Sequence, residues 1–119
     1  MSFFLWATRN WADTDEGKDP TLTPVDMSMS LAEAVRRIET VIGSLPRWQV
    51  ESVDVSAGIV KATRRTRLFR FIDDITIRLE LVSPSTTRVH ARSQSRVGKG
   101  DLGQNRRNLL ELLTKVRSL

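Results

Sequence analysis

The chain has 119 residues, of which 39% are hydrophobic and 28% charged, a size that fits one domain and a composition typical of globular proteins. It has no cysteine and one histidine, which argues against disulfide scaffolds, thiolate zinc sites and most catalytic triads. The net charge of +5 is unevenly divided: residues 1–27 carry five acidic and two basic side chains, whereas the remaining residues carry nine and seventeen. This division predicts either an anionic partner or a leader that lies over the protein's own basic face. We predict no catalytic residue, no metal ligand and no cofactor.

The first eleven residues are unusually aromatic. Their apolar run is far shorter than the roughly 20 residues that span a bilayer, and no basic region precedes it as in a signal peptide. We therefore expect no transmembrane segment and a chain that is cytoplasmic or peripheral to a membrane. The large apolar residues either pack on the domain or dock on a membrane or partner, and they are Phe3, Phe4, Leu5, Trp6 and Trp11. We interpret residues 1–29 as an extended acidic and aromatic leader, and residues 30–119 as a single α+β domain.

Ordered structure is predicted to begin with a helix. Ser30 and Glu33 have the spacing of a capping box. Apolar residues then recur at helical spacing from Leu31 to Leu45, and Gly43 and Pro46 are expected to end the helix.

After Pro46 the apolar period changes to two, which predicts four strands at about residues 48–55, 59–68, 74–81 and 87–97. If Val82 pairs with Thr86 across the Ser-Pro-Ser turn, Ile75, Ile77 and Leu79 face Ser93, Ala91 and Val89. On the reverse face, the same register places Asp74 opposite Gln94, diagonally between Arg92 and Arg96.

A second helix is predicted from about Leu102 to Arg117, preceded by a capping box at Asp101 and Gln104. Its expected apolar stripe consists of Leu102, Leu109, Leu110, Leu113 and Val116. The predicted fold class is thus α+β, with a helix, a four-stranded antiparallel meander and a helix forming two layers, both helices on one face of the sheet. As a lost cap, Asp101→Ala is expected to cost about 0.5 to 2 kcal/mol.

The polar face of the sheet has two interpretations. Asp74, Arg92 and Arg96 form either a solvated ion-pair ladder or a site in which arginines hold a carboxylate or phosphate, with Asp73 or Asp74 positioning them. The segment from Gly98 to Gly103 matches G-x-G-x-x-G, but only 16 residues follow it, too few for a dinucleotide-binding unit. A single small anion near Arg96, Lys99 and the start of the second helix remains a weaker hypothesis.

Nucleic acid is not an expected partner. Arginines interleave with aromatic residues over residues 64–71, but there is no tyrosine, and we expect Phe69 and Phe71 to be core residues at a strand bend. His90 is predicted to be a solvated or hydrogen-bonded histidine rather than a ligand or general base.

Three short polar motifs follow one another along the chain. They are Phe71-Ile72-Asp73-Asp74, Arg92-Ser93-Gln94-Ser95-Arg96-Val97-Gly98 and Asp101-Leu102-Gly103-Gln104-Asn105-Arg106. They resemble the signature of a bacterial and plastid family known as domain of unknown function 1499, over about residues 30–115. No established activity comes with that resemblance. It implies a set of candidate ligand or partner positions, several of which also have architectural explanations: Asp73, Asp74, Arg92, Ser93, Ser95, Arg96, Gly98, Asp101, Gly103, Asn105 and Arg106.

The leading functional hypothesis is a small non-enzymatic binding or accessory module. It would contact an anionic or protein partner through its basic sheet face and aromatic leader, and a peripheral subunit of a membrane complex is one form of this. The alternative is a small-ligand carrier or enzyme that uses Asp74, Arg92 and Arg96 beside the Gly-rich turn.

Overall fold

A computed structural model describes residues 9–67, 71–97 and 101–119. The elements, in chain order, are β1 (Trp11–Asp13), β2 (Val25–Met27), α1 (Leu31–Ser44), β3 (Trp48–Asp54), β4 (Ile59–Arg65), β5 (Ile72–Ser83), β6 (Thr86–Ser95) and α2 (Gln104–Arg117).

The fold is mixed α+β, and its described residues form two helices and one largely antiparallel sheet. Strands β3 to β6 pair consecutively, as the predicted meander requires. Within the described ranges the sheet nevertheless has six strands and not four, because β1 and β2 both pair with the outer edge of β6. The leader therefore contributes to the sheet. Its strands have only three residues each, so their pairing depends on the exposed hydrogen-bonding groups of β6 more than on a periodic pattern of their own.

The predicted register between β5 and β6 is confirmed. Ile75 faces Ser93, and Asp74 faces Gln94. The pairing expected at the turn differs: Ser83 pairs with Thr86, and the register shifts between Leu81 and Ser83.

Helix α1 begins as expected, since the Ser30 hydroxyl accepts a hydrogen bond from the Glu33 N–H at 3.3 Å. Its buried residues are Ala34, Val35, Ile38, Val41 and Ile42. They pack in one core with the inward-facing residues of the sheet and with the apolar residues of α2. In the described part of the chain, neither helix is long and apolar enough to cross a membrane.

Helix α2 departs from its predicted stripe. It begins at Gln104, two residues later than expected, and Leu102 lies before it with 64% of its surface exposed. The buried face includes two polar residues, Asn105 and Asn108, ahead of Leu109, Leu112, Leu113 and Val116. This face is polar at the N-terminal end of the helix because it meets a polar part of the sheet.

Candidate functional site

A network of buried polar side chains joins β5, β6 and the first turns of α2. Asp73, Ser93, Asn105 and Asn108 are each at most 1% exposed. Buried polar groups are stable only when hydrogen-bonded, so the partners of these side chains define what the network does.

Asn105 is the centre of this network. Its side-chain carbonyl accepts a hydrogen bond from the Ser93 hydroxyl at 2.6 Å. Its amide nitrogen lies 2.9 Å from the Asn10 carbonyl oxygen and 2.8 Å from the Ser95 hydroxyl, and it also contacts the Asp101 carboxylate. One side chain therefore links the leader, strand β6 and the segment that precedes α2.

Asp73 and Asn108 form the second part of the network. The Asn108 amide donates to the Asp73 carboxylate at 2.7 Å and to the Ser93 hydroxyl at 3.2 Å. Burial raises the pKa of Asp73, although hydrogen bonds from Asn108 and Ser95 oppose the rise. The apolar pattern of the sequence does not identify Asn108, because a polar residue at a buried helix position does not contribute to that pattern. Its spacing of three from Asn105 is the signal that would have placed both on one face.

Asp101 organises the start of α2. Its two carboxylate oxygens accept the N–H groups of Gly103 at 2.8 Å and Asn105 at 2.9 Å. The predicted capping box does not form, because Gly103 occupies the cap position with φ at 81° and Gln104 donates instead to Asn108. Since Asp101 occupies these N–H groups, the geometry gives no support to a small anion at this helix start. Gly98 and Lys99 lie outside the described residues.

The acidic leader lies over the arginines of β5 and β6. Asp13 contacts Arg92 at 3.4 Å, and Asp15 contacts Arg78 at 3.2 Å. Nearer the hairpin, the Arg88 guanidinium donates to Asp26 at 2.8 Å. The described residues thus show the leader lying over the arginines on this part of the sheet and neutralising their charge, as one of the two interpretations of the uneven charge expects.

A further ion pair attaches the leader to α2. The Arg106 guanidinium donates to Asp19 at 2.7 Å, and the Asp19 side chain is only 6% exposed. Burial alone would raise the pKa of Asp19, but hydrogen bonds from Arg106 and Thr21 outweigh burial and lower it. Arg106 therefore holds the leader in place.

Trp11 lies between two guanidinium groups. The Arg9 and Arg92 groups are 4.3 and 4.7 Å from the centre of its ring, a cation–π arrangement. Arg9 also binds Glu16 through two hydrogen bonds of 2.6 and 2.7 Å. Trp11 thus packs on the domain, whereas Phe3, Phe4, Leu5 and Trp6 lie outside the described residues.

The Asp74, Arg92 and Arg96 side chains do not converge. Arg96 donates two hydrogen bonds to Asp74, at 2.9 and 2.8 Å, and both side chains are about half exposed. Arg92 instead turns toward Asp13, Gln94 and the Trp11 ring. Asp74 and Arg96 line a depression of about 350 Å³. Their charges neutralise each other in an ion pair, so this depression presents no unpaired charge from these two residues to a ligand.

His90 is hydrogen-bonded, as predicted. Its Nδ1 lies 2.7 Å from an Asp15 oxygen, and its Nε2 lies 2.9 Å from a Glu80 oxygen. The hydrogen bond from His90 lowers the pKa of Glu80. Across the described ranges, no three His, Asp or Glu side chains are arranged to hold a metal ion.

Phe71 differs from its prediction as a core residue. It is 49% exposed, although its N–H donates to the Thr66 hydroxyl and its carbonyl oxygen accepts from the Thr66 N–H. Phe69, the other residue in that prediction, is outside the described residues. Phe71 therefore lies beyond the buried residues of β5 and is not part of the core.

Comparison with known protein families identifies the family of the chain. A family model described as "Protein of unknown function (DUF1499)" matches residues 6–116, which is most of the chain. No curated protein and no solved structure matches it. The matched range includes both leader strands and every described member of the polar network, and the chain belongs to this family of unknown function.

Proposed function

We propose that this protein is a small non-enzymatic binding module that contacts its partner through one end of the sheet. We call this surface the arginine end and define it by four arginines and three apolar residues: Arg47, Arg65, Arg67, Arg107, Phe71, Val97 and Leu102. The observation that carries the proposal is that these four arginines have no carboxylate partner among the described residues, and lie where three large apolar side chains are exposed.

Strand pairing places these residues together. The Arg65 N–H donates to the Arg47 carbonyl oxygen at 3.0 Å, so the start of β3 lies beside the end of β4. Strand β5 begins next to Phe71, and β6 ends just before Val97. Leu102 precedes α2, and its carbonyl oxygen accepts a hydrogen bond from Arg107 at 2.9 Å.

The acidic groups at this end are already engaged. Asp74 pairs with Arg96, and Asp101 holds the start of α2. Glu111 accepts a hydrogen bond from the Trp48 indole and lies 3.4 Å from Arg64. The four arginines therefore give the surface a positive charge that the protein itself does not neutralise.

The opposite end of the sheet offers a contrast. It also exposes apolar residues, Leu81 and Val82. Its arginines, Arg78 and Arg88, are paired with leader carboxylates. Exposed apolar groups and unpaired cations occur together at the arginine end, and such a combination is typical of binding surfaces.

The leader supports the same assignment. The Asp101 N–H donates to the Arg9 carbonyl oxygen at 3.0 Å, which attaches the first described residue to this end. The predicted docking residues Phe3, Phe4, Leu5 and Trp6 precede Arg9 by three to six positions in the sequence. We propose that they act with the arginine end.

The polar network has an architectural role in this proposal. Ser93, Ser95 and Asp101 are all hydrogen-bonded to Asn105, and Asp73 is hydrogen-bonded to Asn108. These bonds, with the one from Asn105 to the Asn10 carbonyl, hold the start of α2 and the leader against β6. The alternative function, a ligand carrier or enzyme built on Asp74, Arg92 and Arg96, has less support because their charges are already paired within the protein.

Native sizing tests the proposal. The full chain is tagged and expressed in its source cells, and the cells are lysed gently. We then measure whether the chain sediments with the membranes and what its size is under native conditions. We expect it to migrate well above its own 13.5 kDa or to pellet, and we expect Arg65→Ser/Arg67→Ser to release it. The matched control is Arg36→Ser/Arg37→Ser, which removes two exposed arginines from α1. Migration of the unsubstituted chain near 13.5 kDa would contradict the proposal.

A further inference from the structure

Two non-glycine residues in the described part of the chain have a left-handed backbone, and both belong to the arginine end. Arg47 has φ at 68° and Leu102 has φ at 54°. L-residues other than asparagine and aspartate rarely adopt this conformation, and when they do the strain often marks a functional site. The strain at these positions does not place a side chain in the core, because Arg47 and Leu102 are both exposed.

Phe71 and Val97 continue strands β5 and β6 at the same end of the sheet. Asp73 faces Ser95, and the Arg96 N–H donates to the Ile72 carbonyl oxygen at 3.1 Å. Continuing this register by one step places Phe71 opposite Val97, just beyond the polar network and on the face that carries the helices. They are 49% and 66% exposed, and Leu102 is 64% exposed.

This combination fits a lipid surface. Phe71 and Val97 lie at the ends of strands and Leu102 lies before a helix, so three exposed apolar side chains share this end of the fold with the arginines. Apolar side chains enter the boundary between lipid headgroups and acyl chains, while arginines keep their guanidinium groups among anionic headgroups. Nucleic acid fits less well, because the aliphatic Val97 and Leu102 cannot stack on bases as aromatic side chains do.

We propose that the arginine end docks on an anionic membrane surface, with Leu102, Phe71 and Val97 entering the headgroup boundary and the four arginines contacting lipid phosphates. This inference rests on the proposed function and names its partner. The residues hold the protein at the surface and do not cross the bilayer.

Co-sedimentation with vesicles tests it. The full chain is mixed with phosphatidylcholine vesicles that contain either no anionic lipid or about 30% phosphatidylglycerol. We expect binding to the anionic vesicles alone, weakened by salt. Arg65→Ser/Arg67→Ser should lower the partition coefficient by about 25-fold, since each arginine near an anionic surface contributes about fivefold.

Leu102→Asn separates docking from folding. Asparagine tolerates the left-handed backbone better than leucine, so this variant should melt at the same temperature or higher, while its partition coefficient falls by about fivefold or more. Leu119→Asn is the matched control: it makes the same change at a leucine that is 55% exposed at the end of the chain, and should bind as the unsubstituted protein does.

The outcomes distinguish the two proposals. If the chain does not bind anionic vesicles, or if Leu102→Asn binds them with the same partition coefficient as the unsubstituted protein, the proposal of docking on lipid is wrong. A chain that still migrates in a large assembly, and is released from it by Arg65→Ser/Arg67→Ser, would then have a protein or nucleic-acid partner, and the proposed function would stand. If it neither binds vesicles nor migrates above 13.5 kDa, both proposals fail.

Discussion

The substitution Asn105→Asp tests the polar network with almost no change in shape. It replaces an amide nitrogen, which faces the Asn10 carbonyl, the Ser95 hydroxyl and the Asp101 carboxylate, with an oxygen. The amide has two hydrogens, so at most two of these acceptors are fully bound at one time. Losing a bond to a carboxylate costs about 1.5 to 3 kcal/mol, and losing a neutral one costs about 0.5 to 1.5 kcal/mol. We therefore expect a loss of about 2 to 4.5 kcal/mol at pH 7.

Urea denaturation followed by tryptophan fluorescence measures this loss. With a slope of about 1 to 3 kcal/mol per molar urea, the midpoint should fall by about 2 M. Burial should raise the pKa of the introduced carboxyl, whose contribution to stability is present at low pH and is lost as the pH rises through its folded-state value. The deficit should therefore shrink as the pH is lowered from 7 toward 5.

A matched control is available on β3. Gln49→Glu makes the same exchange of amide for carboxylate at an exposed position, and it should change stability by no more than about 0.5 kcal/mol. If Asn105→Asp costs less than about 1 kcal/mol, or as little as the control, the network does not hold the leader and α2 together, and our account of these residues is refuted.

Three further predictions concern stability. Asp101→Ala should lower the free energy of unfolding by about 2 to 3 kcal/mol in urea denaturation, and Ser30→Ala should lower it by only about 1 kcal/mol. The reason is that Asp101 accepts hydrogen bonds from two backbone N–H groups and one side-chain amide, whereas Ser30 accepts one from a single N–H. Equal losses would argue against this. Because burial raises the pKa of Asp73, its contribution to stability is present at low pH and is lost as the pH rises through its folded-state pKa. Asp73→Asn should therefore gain stability relative to the unsubstituted protein as the pH is raised from about 4 to about 7 in urea denaturation, and a constant difference would contradict this. Gly58→Ala should lower the melting temperature, because the φ of Gly58 is +69° and the new carbon would lie 2.5 Å from the Leu79 carbonyl oxygen. Gly43→Ala should raise the melting temperature and add about 0.5 to 1 kcal/mol of stability, because Gly43 lies in α1 with open space around it. A shift of the same sign at both positions would refute this.

The sequence predicted the features that depend on the spacing of residues close together in the chain. The register of β5 and β6 followed from alternation and a short turn, and it held although the turn itself pairs Ser83 with Thr86. The cap of α1 was equally local, because Ser30 and Glu33 are one helical turn apart.

What the sequence did not reveal depends on distant partners. The pairing of Trp11 with Gln94 joins residues far apart in the chain, and a strand of three residues has too few alternations to be recognised. Asn105 and Asn108 interrupt the apolar stripe of α2, and only their partners in the sheet make them core residues. The apolar spacing also predicts Leu102 in that stripe, but Leu102 precedes the helix and is exposed.

The leader's attachment to β6 also sets an order of events during synthesis. Trp11 leaves the ribosome early, but its sheet partner Gln94 is made more than eighty residues later. Asn105, whose amide binds the carbonyl of the neighbouring Asn10, is made later still. Until then the leader's aromatic groups have no place to dock, and once β6 emerges its outer edge stays open to other chains until the leader closes over it. Contacts between such distant parts of a chain form slowly, so we expect closure of the leader to be the last step of folding and the step at which newly made chains are most prone to aggregate.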